Sequence, residues 1–138
     1  MLFYDLDLGA WVRCPGSSSP AWMTPVLTIG STFQIIVRFC RGEDIVDPGA
    51  SAWLAGIRPS GVFSGDFIAS DDAPQQDGSD GNIFILDLTT DAASAYFTEN
   101  PSAEIQNASL QIKMTTGDGD MLTCPLEIVI QNSYLQTP

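Results

Sequence analysis

Hydrophobic side chains recur at every second position in several separate stretches of this chain, the period of a half-buried β-strand. Leu2, Tyr4, Leu6 and Leu8 alternate with Phe3, Asp5 and Asp7, and Gly9 ends the run. Phe33, Ile35, Val37 and Phe39 share one face of a strand predicted over 31–40, with Gln34, Arg38 and Cys40 opposite. Segments 50–57 and 62–69 read as a pair of strands about Arg58-Pro59-Ser60-Gly61, a turn with proline at its second position. An apolar run follows at 83–88. Ala108, Leu110, Ile112 and Met114 then line one face of a long strand, Gly117-Asp118-Gly119 turns the chain, and Leu122, Cys124, Leu126, Ile128 and Ile130 point inward on a closing strand. Two irregularities stand out. The apolar phase slips between Ile105 and Leu110, which predicts a bulge near Gln106 or Asn107. Pro125 cannot donate to a ladder, which predicts an edge strand or a bulge there.

Only one segment carries a helical pattern, at about residues 90–98. Thr90 or Asp91 can cap its first turn, and Asn100-Pro101 prevents extension. Tyr96 and Phe97 are expected to pin this helix across an open end of the fold. Residues 14–20 form a loop by composition, 20–29 hold one short strand, and 71–82 read as a long solvated loop. About seven to nine strands with no crossover helix predict one domain, 1–138, built as a two-sheet antiparallel β-sandwich of the immunoglobulin-like kind.

Composition narrows the partners. With 44% hydrophobic residues, the 138-residue chain can fill one core without disulfides or a metal. Its 17 acidic residues against 5 bases give a net charge of −12. Scattered bases in that number cannot displace counterions from phosphates, so nucleic acid is excluded, and the same field repels anionic lipid headgroups. A charged fraction of 16%, below the usual value of about 25%, suits packing against other subunits. The chain opens without a basic start and has no apolar run of membrane-spanning length, so neither a secretory signal nor a membrane span is expected. Cys14, Cys40 and Cys124 are widely spaced and odd in number. They read as reduced, mostly buried thiols, or as one bridge with a thiol left over.

No catalytic residue can be named. The absence of histidine removes Ser-His-Asp and Cys-His chemistry, and a single lysine outside any Gly-rich loop removes a P-loop. Carboxylate pairs occur by chance among so many acids and single out no glycosidase site. Asp77 and Asp80 in one Asp-Gly run, and Asp118 and Asp120 in another, are weak calcium candidates. Neither run fits an EF-hand, and Asp-Gly is also ordinary turn chemistry. Trp11 and Trp22 flank the Pro-Gly-Ser loop and, with Trp53, could stack on sugar rings. Core or subunit packing is the competing explanation. No cofactor is implied.

Three segments together resemble a known family. These are Gly30-Ser31-Thr32-Phe33 running on to Arg38-Phe39, the Ile85–Thr90 strand-to-helix entry, and the closing pair 110–114 and 125–132. They are similar to the immunoglobulin-like domain at the N-terminus of phage upper baseplate proteins and to related prophage tail modules. The resemblance implies a non-enzymatic scaffold or adaptor, made in the bacterial cytoplasm and assembled into a virion or tail-like particle. It implies partners among other tail proteins and a homo-oligomer, with a trimer as the reference case. A carbohydrate-binding sandwich using exposed tryptophans is the alternative, with a glycan as partner.

Overall fold

A computed structural model describes residues 1–21, 24–78 and 81–133. The chain forms two six-stranded sheets packed face to face. Sheet A runs β2 (Ala10–Val12), β1 (Leu2–Asp5), β4 (Thr32–Arg41), β9 (Gly81–Asp87) and β8 (Gln75–Asp77), with β5 (Asp44–Val46) also paired to β4. Sheet B runs β3 (Val26–Thr28), β12 (Leu126–Gln131), β10 (Ile105–Thr116), β6 (Ala52–Pro59) and β7 (Ala69–Asp71), with β11 (Gly119–Leu122) also on β10. The expected all-β sandwich is therefore present. It is not antiparallel throughout: β1 lies parallel to β4, and β3 lies parallel to β12.

The core is built as the two-residue period requires. Val37, Phe39, Phe84 and Leu86 of sheet A meet Ala55, Ile57, Ala108, Leu110, Ile112, Met114, Ile128 and Ile130 of sheet B. Trp11, Tyr4, Phe39, Trp53 and Phe84 form a chain of ring contacts with successive centroids 5.0, 6.1, 5.7 and 5.8 Å apart. Helix α1 (Asp91–Glu99) follows β9, and the Thr90 hydroxyl caps it by accepting from the Ala93 amide at 3.1 Å. Ala93 and Phe97 bury its inner side, while the Asn100 amide donates to the Tyr96 carbonyl and closes its end.

Several expectations change. The first strand stops at Asp5, and Leu6 to Gly9 turn the chain, leaving Leu8 exposed. Asp5, placed by alternation on the outer face, is buried at 2% exposure. Its carboxylate accepts backbone N–H groups from Asp7 (2.8 Å), Leu8 (3.0 Å) and Gly42 (3.3 Å), tying the β1–β2 turn to the β4–β5 turn. Only the end of segment 62–69 pairs with 50–57, Ala69 lying opposite Ile57. The turn starts one residue later, with the Val62 amide donating to the Pro59 carbonyl, and a long loop intervenes before β7 pairs with β6. Residues 71–82, expected as one solvated loop, contribute β7's last residue, β8 and the start of β9. Asp71 joins the layers there, because its Oδ2 accepts the Ile85 amide of sheet A at 2.8 Å.

No bulge lies at Gln106 or Asn107. β10 pairs with β12 in unbroken register from Ile105 to Leu110, and the phase slip arises because Gln106 itself faces inward. Its Oε1 is buried without a hydrogen-bond partner. The bulge sits at Pro125 instead. Lys113 pairs with Leu122 and Leu110 with Leu126, so Gln111 and Ile112 face Thr123, Cys124 and Pro125. That extra residue reverses the alternation. Leu122, expected inside, is 58% exposed, whereas Ile128 and Ile130 are inside as expected.

Candidate functional site

The bulge explains where Trp11 goes. An extra residue leaves the Cys124 peptide groups outside the ladder, and buried backbone groups need partners. Sheet A supplies them: Trp11 Nε1–H donates to the Cys124 carbonyl at 2.8 Å, and the Cys124 amide donates to the Tyr4 hydroxyl at 3.1 Å. Burial pushes the Tyr4 phenol above its ordinary value, as loss of water disfavours the phenolate. Trp11 is 6% exposed and presents no open ring face to a sugar. Trp53 is half-buried and packs against the core between Phe39 and Phe84. Trp22 lies outside the described residues.

The two Asp-Gly runs end up in different sheets. Asp77 closes β8 of sheet A, and its side chain and Asp80 lie outside what is described. Asp118 and Asp120 sit in the β10–β11 hairpin of sheet B, both exposed. Asp120 is engaged there: its Oδ1 accepts the Thr115 hydroxyl at 2.9 Å, and its Oδ2 stands 3.4 Å from Lys113 Nζ. The Thr115 hydrogen bond, and then the Lys113 charge, hold its carboxyl below the usual range. Among the described residues no group of three or more acids or cysteines is placed to hold a metal. The three cysteines are free thiols; Cys40 is buried, Cys124 half-buried and Cys14, against expectation, exposed. Burial, and then the charges of Asp5 and Asp7, raise the Cys40 thiol above its ordinary value.

One concavity was not anticipated from the sequence. It is a groove of about 220 Å³ on the outer face of sheet B. Leu54, Gly56 and Arg58 of β6 and Ser109, Gln111 and Lys113 of β10 make its floor, and Leu122 and Pro125 close one side. The loop between β6 and β7 folds back to make the other. Gly56 permits this, since a Cβ there would stand 2.3 Å from Cε1 of the Phe67 ring. The ring thus rests directly on the sheet. Arg58 covers it, with its guanidinium carbon 4.0 Å from the ring centroid. Its Nε and Nη2 donate to the Gly65 carbonyl at 3.1 and 3.0 Å, fixing the middle of the loop. The ends are fixed by the Ser60 amide on the Asn107 carbonyl and the Ile68 amide on the Ile57 carbonyl.

Between those anchors Val62 and Phe63 project outward, and Phe63 is 76% exposed. Leu122 faces them from β11 because of the bulge. The sequence carried two signals for this site, the glycine at 56 within an apolar strand and the Val62-Phe63 pair within a glycine-rich stretch. Both fall in segments, 50–57 and 62–69, whose pattern also fits a strand. Comparison with protein-family models, curated proteins and solved structures finds no match.

Proposed function

We propose that this chain is a binding and assembly domain rather than an enzyme. In its specific form the proposal is an immunoglobulin-like structural or adaptor module of a phage or prophage tail. It meets other virion proteins, and further copies of itself, through the outer face of sheet B. One observation carries the proposal: Val62, Phe63 and Leu122 are left exposed around a groove whose walls are fixed in advance. Apolar side chains gathered on a rigid surface mark contact sites, because their removal from water drives association. A preformed wall also loses little conformational freedom on binding. The tail assignment is supported by the three sequence segments that resemble baseplate modules.

Light scattering tests assembly. The wild-type chain at tens of micromolar is expected to run as a defined oligomer, a trimer in the tail reading. Phe63→Ser combined with Leu122→Ser is expected to run as a monomer with an unchanged melting temperature. A wild-type chain that stays strictly monomeric overturns self-assembly. An oligomer untouched by the double substitution moves the contact off this face.

A further inference from the structure

The chemistry of the groove's walls narrows the partner, on the premise that the groove is a contact site. Its neutral polar side chains are already engaged within the chain. Ser109 Oγ donates to Glu127 Oε1 and Gln111 Nε2 donates to the Thr123 carbonyl, each at 2.8 Å. A sugar, which needs many hydrogen-bonding partners, would find few here. What stays open is cationic. A guanidinium carries five N–H donors, and Arg58 spends only its Nε–H and one on Nη2 on Gly65. Lys113 meets Asp120 at 3.4 Å, but both side chains are about half exposed, so solvent screens the pair and another carboxylate can share the ammonium.

Charge placement is the stronger argument. Two of the chain's 5 bases line this groove and none of its 17 acids does; Asp120 and Glu127 stand beside it, each already engaged by a side chain of this surface, Lys113 at 3.4 Å and Ser109 at 2.8 Å. At physiological salt, fields fade over about 8 Å, so these local charges, rather than the net charge of the whole molecule, set what the groove attracts. The volume is below the roughly 300–1,000 Å³ of ordinary small-molecule sites, which suits a few anchoring side chains. We propose that the groove takes a short segment of a partner protein in which apolar side chains alternate with carboxylates. The apolar groups pack against Leu54, Phe63 and Leu122, and the carboxylates meet Arg58 and Lys113.

Fluorescence anisotropy on the full chain tests this with three short labelled peptides. They share the same leucine and phenylalanine positions and differ only in the intervening residues: all glutamate, all serine or all lysine. The glutamate peptide is expected to bind about tenfold more tightly than the serine peptide, with the lysine peptide weakest and the glutamate advantage shrinking as salt rises. Lys113→Glu is expected to abolish the glutamate preference, and Phe63→Ser to weaken the glutamate and serine peptides alike. Lys113→Gln should give an intermediate preference, and melting curves confirm that each variant is folded. Equal or tighter binding of the lysine peptide, no binding of the glutamate peptide at millimolar concentration, or a preference unmoved by Lys113→Glu overturns the assignment. Those outcomes leave the light-scattering result standing. Conversely, a monomer that prefers the glutamate peptide keeps the groove and loses only self-assembly.

Discussion

Strands β6 and β10 share one backbone ladder and carry two unrelated chemistries. Toward sheet A, Ala55, Ile57, Leu110, Ile112 and Met114 are closed off from water. Away from it, Leu54, Arg58, Ser109, Gln111 and Lys113 form the floor of an open groove. Stability and recognition are thus separated by a single step along the chain, since successive side chains leave a strand on opposite sides. Neighbouring positions should answer differently to the same substitution.

The largest expected effect is on the inner face. Leu110→Ala should cost about 2–5 kcal/mol, from lost transfer energy and the cavity left behind. Phe63→Ser and Lys113→Ala should stay within about 0.5 kcal/mol of wild type. Urea unfolding measures all three, and a Leu110→Ala loss under about 1 kcal/mol would break the contrast between faces.

Gly56 sharpens the contrast, because it is the place where the outer face is packed like a core. Gly56→Ala puts a methyl group into the Phe67 ring. It should cost about 1–3 kcal/mol by overpacking. The same change should reduce ring-current shifts on Arg58 in NMR spectra, as Phe67 leaves the sheet. An unchanged Arg58 spectrum would show that the ring does not rest there.

Gln106 tests the inner face from the opposite direction. It is 7% exposed and its Oε1 has no partner. An unsatisfied buried acceptor costs about 1–3 kcal/mol, so Gln106→Leu should raise stability, by about 1 kcal/mol. A destabilised Gln106→Leu in the same urea assay would mean that the amide is satisfied in solution.

The smallest effect belongs to the exposed hairpin. Asp120 is held below its ordinary pKa by Thr115 first and Lys113 second. A depressed folded-state value contributes stability above the unfolded value, and the contribution is lost as pH falls through the folded one. An NMR titration should therefore place the Asp120 midpoint below that of an unperturbed aspartate, and Thr115→Val should bring it back up. A midpoint indifferent to Thr115→Val would remove the hydrogen bond as its cause.

The sandwich was readable because its core strands largely obey their period: Phe33 to Phe39 and Ala108 to Met114 fall inside as the alternation requires, although Phe33 is only half-buried and Cys40, expected on the opposite face, is buried too. Thr90 and Asn100 bounded the helix through local hydrogen bonds that sequence neighbours supply. The groove was not readable, since it depends on one missing Cβ at Gly56 and on a ring eleven positions along, at Phe67, that uses the space. Leu122 was misplaced because alternation carried through Pro125 ignores the extra residue, even though the proline marked where it lay. Asp5 departs from the alternation for a related reason: a buried carboxylate is favourable only when donors meet it, and Gly42, from another turn, joins the local amides of Asp7 and Leu8.

The parallel seating of β3 against β12 bears on how the polypeptide acquires its shape. Among the described residues, β3, at residues 26–28, has no strand neighbour except β12, at residues 126–131. The Tyr4–Cys124 hydrogen bond spans 120 positions. Closing such distant pairings is slow, on the order of milliseconds to seconds. The early apolar segments must therefore stay unpaired until β12 has been made, and only then can sheet B lock.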